Sequence, residues 1–414
     1  MGIVIYNSSY FILGETMIVI IGTGAGGGIL ARELAKNGQE VVMLEKGPYI
    51  EPKDAFECYD KYGHGVDLLS TTCIAGSTIV SMANMVRALD EEFHEYGIDL
   101  TEEYKYVEEL VGVHELDDSH IGQGTQLFLD AARDLGLDVQ KMPKAIREED
   151  CIQCGKCAFG CPVNAKWTAK DFVDEAVEAG ATLICDAEVT DIILCNMEAC
   201  GVKYVKDHEE NLIKTDKIIL CAGAINTPVI LKNMGLTGIG RELFFDPFVT
   251  VGGYLKDVNF NSEVQMAGLV KGEHFVLSPH FSTFTFDDDV EDKDIFSIMV
   301  KTPDEAKGYV HSDGFVQKVN TIEDIRYLAE GVATAGFILE KMGVDPKTIH
   351  STHYRGAHPG GTAKIGNVVD SNLETEIPNL FVCDASVLPV APGKPPILTI
   401  LALSKRLADY LLKK

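Results

Sequence analysis

Four cysteines, Cys151, Cys154, Cys157 and Cys161, are separated by two, two and three residues, and Pro162 follows the last. That is the spacing of the bacterial-ferredoxin run, in which short loops let thiolates reach the corners of one [4Fe-4S] cube. The small residues Gly155, Ala158 and Gly160 are expected to leave room for inorganic sulfides. Structural zinc is the other chemistry open to clustered thiols, but it usually pairs two knuckles across a longer spacer than this run has. In two-cluster ferredoxins the fourth cysteine serves the other cluster. The fourth ligand here is therefore either Cys161 or a remote thiol, with Cys58 and Cys73 as the candidates ahead of the run. Cys161 is the expected ligand because it requires no distant contact.

A second constellation, Gly22-x-Gly24-x-x-Gly27 with Glu45 a little over twenty residues on, is suited to a dinucleotide. The first glycine permits a tight turn, the second lets backbone approach a pyrophosphate, and the third lets a helix pack close to a strand. Helix N-terminal N–H groups then face the phosphates. Glu45 is placed to accept hydrogen bonds from a ribose diol, and it disfavours a 2′-phosphate. FAD and NAD both remain open on these residues alone.

The elements that must position these groups are legible around them. Ile18 to Ile21 is a continuous β-branched run of the kind buried in a parallel sheet, and Val41 to Leu44 is a second strand ending at Glu45. Thr72 to Thr78, with Gly76 and Ser77, is a small-residue turn ahead of the apolar run Val80 to Arg87, suited to close backbone approach to a cofactor. Gly124 to Leu135 reads as an amphipathic helix. Thr168 and Asp171 read as the capping box of a helix through Ala179. Lys217 to Leu220 is another buried strand, running through Cys221-Ala222-Gly223-Ala224 into a glycine turn. From Phe248 to Val319 apolar and polar residues alternate, as in an antiparallel sheet with one exposed face, and the acid run Asp287 to Asp294 reads as a solvated turn. Ile322 to Met342 carries an apolar stripe at 322, 325, 328, 332, 335 and 339, as in a core-packing helix.

The chain has 414 residues, 46% hydrophobic and 24% charged, which fits a globular enzyme of two or three subdomains. Its net charge of -27 argues against nucleic acid and anionic membrane surfaces as partners. No stretch approaches the ~20 apolar residues of a membrane span. Residues 1 to 16 lack a basic region and a small-residue cleavage site, and read as an added edge strand or an artefact of start-codon choice. Eleven cysteines without a secretory signal point to a reducing cytosol, and to metal or redox work instead of structural disulfides. Cys185, Cys195, Cys200, Cys221 and Cys383, in or near apolar strands, are expected to be inert buried thiols.

The C-terminal motifs His358-Pro359-Gly360-Gly361-Thr362, Asn379 to Pro389 and Leu398-Thr399-Ile400, with GTGAGGG at Gly22 to Gly28, Gly76-Ser77-Thr78 and Cys221 to Pro228, resemble the glucose-methanol-choline (GMC) oxidoreductases. The resemblance implies FAD, and hydride transfer from an alcohol carbon to the flavin. It implies that His358 is the catalytic base, a role suited to an imidazole. It also implies that Val189 lies at the adenine, that Asp384, with Ala385 beside it, lies near the pyrophosphate and ribityl chain, and that Thr399 lies near the flavin ring. The family's second His or Asn falls at Pro395, whose side chain neither donates nor accepts. Lys394 beside it is either a substitute cation that steadies an alkoxide or a solvated loop lysine.

The expected architecture is α/β, a Rossmann-like FAD-binding domain with a smaller antiparallel-sheet (α+β) substrate domain and an iron-sulfur insertion. The FAD domain is discontinuous, over 17–60, 165–248 and 356–414. Residues 61–140 form a cofactor-covering and linker region, 141–164 the cluster segment and 249–355 the substrate domain. The expected activity is a cytoplasmic dehydrogenase oxidising an alcohol or polyol, with electrons passed through the cluster to ferredoxin or a similar carrier. Carbonyl or alkene reduction by the reverse route, and an electron-transfer subunit of a larger redox complex, are the alternatives.

Overall fold

The structure, a computed structural model, describes residues 17–60, 66–282 and 290–414. The readings made for residues 1 to 16, and for the part of the acid run at 287–289, lie outside the described residues.

The two apolar runs around the glycine turn form parallel strands, Met17–Ile21 and Glu40–Leu44, in register from Ile18 opposite Val41 to Ile21 opposite Leu44. They sit inside a five-stranded parallel sheet ordered Leu380–Val382, Lys217–Leu220, Met17–Ile21, Glu40–Leu44, Thr182–Ile184. These strands are almost wholly apolar because helices cover the sheet. Helices Ala169–Glu178 and Ile397–Leu411 both pack on Ala25–Lys36. The capping box of Thr168 and Asp171 opens the first of them.

A second, eight-stranded sheet runs Asp67–Leu68, Arg355–Gly356, Pro247–Tyr254, Ile295–Lys301, Val276–Pro279, Gly268–Lys271, Asp138–Lys141, with His350–Ser351 also paired to Pro247–Tyr254. Only the pairing of Asp67–Leu68 with Arg355–Gly356 is parallel. Both faces of this sheet are covered, which corrects the expectation of one solvent face: every residue of Ile295–Lys301 is buried. Val249, Val251, Ile298, Val300 and Leu277 pack against Phe128 and Leu129 of helix Gln123–Asp134 and Ala335, Ile338 and Leu339 of helix Ile322–Met342. Each such side chain fully buried contributes on the order of 1.5–3 kcal/mol. The alternate positions, including Lys301, Met299, Val276 and Ser278, face an internal cavity. The polar ones among them, Lys301 and Ser278, answer to that cavity and not to bulk water.

Two further expectations are corrected. Helix Ile322–Met342 packs on the core from Leu328 onward, through Leu328, Val332, Ala335 and Leu339, but not through the first two positions of the stripe: Ile322 is 84% and Ile325 60% exposed. Cys195 and Cys200 are not free thiols but form a disulfide, with Cα atoms 5.7 Å apart. The antiparallel strands Glu188–Cys195 and Glu198–Lys206, joined by a tight turn at Asn196 and Met197, bring them side by side at a separation a disulfide can span.

Candidate active site

A cavity of about 1040 Å³ opens at the carboxyl ends of the parallel strands. Gly22 to Gly26 follow the first strand into it, Glu45 and Lys46 the second, Ala187 to Val189 the edge strand, Cys221 to Asn226 the fourth and Asp384 with Ala385 the last. This is where open α/β sheets hold nucleotides. Gly76 and Ser77 line it as well.

The fingerprint glycines divide their labour as expected. A Cβ on Gly27 would stand 1.9 Å from the Gly22 carbonyl oxygen, so Gly27 acts by close packing and does not line the cavity. A Cβ on Gly24 would meet no protein atom within 4 Å. The first amides of helix Ala25–Lys36 have no intrahelical acceptor and are free for an anion. Glu45 lines the cavity, and its carboxylate also braces the glycine loop, accepting from Thr23 N at 3.1 Å, Thr23 Oγ1 at 2.6 Å and Gly47 N at 2.9 Å. Burial raises its pKa against those hydrogen bonds. Asp384 is tied in the same way, to Gly223 N at 2.9 Å, Thr227 Oγ1 at 2.6 Å and Ser386 N at 2.7 Å.

Opposite the glycine loops, the second sheet supplies the reactive groups. His358 lines the cavity and its Nδ1 lies 2.9 Å from Asp246 Oδ2. Asp246 is fully buried, and its other oxygen accepts from Gly393 N at 2.8 Å. An ionised Asp246 holds the proton on Nδ1 and leaves Nε2 with its lone pair. Lys301 Nζ stands 3.3 Å from both ring nitrogens, so it lies on neither lone-pair axis and acts on the ring as a charge. Desolvation, then the Lys301 charge, pushes the His358 pKa well down. Burial raises Asp246, with Lys301 opposing, and lowers Lys301, with Asp246 opposing. His280 also lines the cavity. Its buried Nδ1 has no hydrogen-bond partner among the described residues, and burial with the charges of Arg355 and Lys301 lowers it to about 3.

Cys151, Cys154, Cys157 and Cys161 are free thiols around a second, small cavity, also lined by Ile146, Val264 and Lys166. Cys161 is therefore with its three partners, while Cys58 and Cys73 face each other elsewhere. Among the described residues no three Cys, His, Asp or Glu side chains converge as ligands of one ion. Gly155 and Gly160 do not make room for sulfides. A Cβ on Gly155 would meet Asn261 O at 2.0 Å and one on Gly160 would meet Pro52 O at 1.7 Å, so they let the cysteine loop press against neighbouring backbone. The two cavities adjoin, because Ala158, next to Cys157, lines the large one.

The GMC oxidoreductase family profile matches residues 69–248 and 311–404. The chain belongs to this family. Its members are FAD-dependent oxidoreductases acting on CH–OH groups, and so is this protein. An uncharacterized protein of Methanocaldococcus jannaschii is 35% identical over 95% of this chain and 99% of its own length. Long-chain-alcohol oxidase FAO4B of Arabidopsis thaliana is 25% identical over 96% of this chain and 68% of its own. Pyridoxine 4-oxidase from Mesorbium loti shares the fold, with a TM-score of 0.75 at 17% identity over 97% of this chain and 100% of that one.

In this GMC oxidoreductase two of the expected site residues are placed differently. Thr399 does not line the cavity. Pro396, just before the last helix, and Ile397 and Ile400 of that helix face it, and Thr399, on another side of the helix, bonds Ala88 O at 3.0 Å and Tyr104 Oη at 2.7 Å. Lys394 lines the cavity beside Pro395, but the cation against His358 is Lys301. Sequence reasoning missed Asp246, Lys301 and His280. A carboxylate inside Phe244-Phe245-Asp246-Pro247-Phe248 and a lysine ending the apolar run Ile295 to Lys301 were the available signals.

Proposed function

We propose that this protein oxidises an alcohol with an apolar body, His358 taking the hydroxyl proton on Nε2 as the carbon gives up hydride. The observation that carries this reading is the Asp246–His358–Lys301 constellation, whose His358 and Lys301 share one cavity with Gly22 and Gly24 of the glycine fingerprint. Bound FAD supplies a two-electron hydride acceptor, and a [4Fe-4S] cluster a one-electron carrier. Asp246 fixes the tautomer that makes Nε2 the base. Lys301 steadies negative charge on the substrate oxygen and, once the imidazole is charged, favours passing the proton on. Met266 and Met299 cluster with Phe248, and Met82, Leu69 and Ala357 pack against them beside His358. Such adaptable thioether walls suit an apolar substrate better than a polyol. The activity named for the Arabidopsis relatives agrees with that wall.

The finer reading is of a dehydrogenase that holds a [4Fe-4S] cluster at Cys151, Cys154, Cys157 and Cys161 and gives electrons to a ferredoxin-like carrier. An all-thiol donor set fits the group, and thiols spread around a cavity suit a cube better than a single zinc ion. Anaerobic purification with iron, sulfide and FAD quantified tests the cofactors. Alcohols of increasing chain length, mixed with wild type and His358→Ala, test the chemistry through bleaching of the flavin absorbance. No bleaching by any alcohol, or equal bleaching in the variant, would sink the reading.

A further inference from the structure

Lys144 and Lys166 are 0% and 4% exposed, and neither is used by the alcohol chemistry. Every hydrogen-bond acceptor around them is neutral. Lys166 Nζ donates to Ile79 O at 2.8 Å, Ser81 O at 2.6 Å and Cys157 O at 3.1 Å. Lys144 Nζ donates to Met82 O at 2.9 Å, Asn84 Oδ1 at 2.6 Å and Gln265 O at 2.7 Å. A buried ammonium without an anion is strongly unfavourable, by several kcal/mol per ion in order of magnitude. Two side by side are worse. Burial pushes both lysines down, Lys144 to about 7 and Lys166 to about 8, and what opposes it is ionisation of the neighbouring thiols, Cys157 and Cys151 for Lys144, and Cys157 and Cys161 for Lys166.

Ligation to iron makes all four thiolates permanently charged, and an oxidised core carrying two positive charges leaves the cluster doubly negative. Two ammonium groups match that charge. Their place also matters. Lys166 lines the cysteine cavity and holds Ser81 O, and Ser81 and Met82 line the flavin cavity. The two charges thus sit in the wall between the two sites.

We propose that Lys144 and Lys166 are the built-in counter-charge of a metal–sulfur cluster at Cys151, Cys154, Cys157 and Cys161, and that they set how readily it takes an electron from reduced flavin across that wall. One electron leaves the flavin, which is oxidised, and enters the cluster, which is reduced; no bond forms or breaks. The inference rests on the cluster reading above. Both lysines act as positioning residues, holding charge beside the cluster.

The experiment measures iron, sulfide, FAD and the cluster midpoint potential, by EPR-monitored titration, in wild type, Lys144→Met, Lys166→Met and Lys166→Arg. Each Met variant is expected to keep FAD and shift the potential to more negative values, with Lys166→Arg near wild type. Full iron with an unchanged potential in the Met variants overturns the inference and leaves the cluster reading standing. Wild type with zinc or no metal after anaerobic purification overturns the cluster reading itself. Iron lost in Lys166→Met and restored in Lys166→Arg supports the counter-charge; iron lost in both counts against it. If Lys166→Met does not fold, as lost FAD would show, Lys144→Met carries the same test.

Discussion

Asp246 and His358 are 112 positions apart and meet at 2.9 Å, the carboxylate on Nδ1. The pairing exists because strand Pro247–Tyr254 runs beside Arg355–Gly356, with Phe248 opposite Arg355 and Pro247 opposite Gly356. Asp246 and His358 leave these paired segments on the same side. Asp246→Asn keeps the shape but removes the ionised acceptor. Its rate of flavin reduction by alcohol is expected to fall about 10²–10⁴-fold, as for a positioned base, with FAD content unchanged. Stopped-flow absorbance measures it.

Lys301→Met should change the pH profile. Burial and then the Lys301 charge lower His358 from the ordinary 6.5, so the wild-type base stays neutral well into acid. Removing the ammonium lets the His358 pKa rise, and it lets Asp246 rise further, because Lys301 is the charge opposing its protonation. Both changes move the acid limb of kcat/KM to higher pH. An unmoved limb would show that Lys301 does not act on the imidazole.

Gly24→Ala and Gly27→Ala should separate cofactor affinity from folding. The methyl on Gly24 enters cavity space only, whereas the one on Gly27 meets Gly22 O at 1.9 Å. Gly24→Ala should therefore keep the thermal stability of the FAD-free protein while weakening FAD binding. Gly27→Ala should lower stability itself. Calorimetry with FAD titration distinguishes them.

Stability should fall with acid partly through His280. Its folded pKa of about 3 lies below the unfolded value near 6.5. Between these values the unfolded chain binds the extra proton, so stability is present above pH 6.5 and lost as pH falls, at up to about 1.4 kcal/mol per pH unit. His280→Asn should flatten that part of the curve in denaturant titrations. A slope equal to wild type would refute it.

If the cluster proposed above is bound at the four cysteines, its oxidative removal should leave hydride transfer intact. Loss of iron from the cysteine cavity leaves His358, Asp246 and Lys301 in place, so alcohols should still bleach the flavin at near the holoenzyme rate. Turnover with a one-electron acceptor should fall at least tenfold. Comparing the two half-reactions before and after iron removal checks it.

The dinucleotide half of this fold was readable because its information is local. Within Met17 to Gly47 a buried strand, a glycine turn, a helix and an acid follow one another, and each glycine's task is set by its neighbours. The cysteine run is equally local, since short loops alone bring Cys151, Cys154, Cys157 and Cys161 to one cavity. What covers the second sheet was decided only in three dimensions. Alternation between Phe248 and Val319 identifies two faces but not what lies against either, so the face expected to be exposed instead carries Lys301 and Met299 to the active cavity. Strand register, and not spacing along the chain, brings Lys301 and Asp246 to His358. Helix rotation likewise turned Thr399 toward Tyr104 and left Ile397 and Ile400 at the cavity. The sequence by itself determined the cofactor cradle and the gathering of four cysteines at one small cavity; the tertiary structure chose the base's partners, because each comes from a different strand or loop.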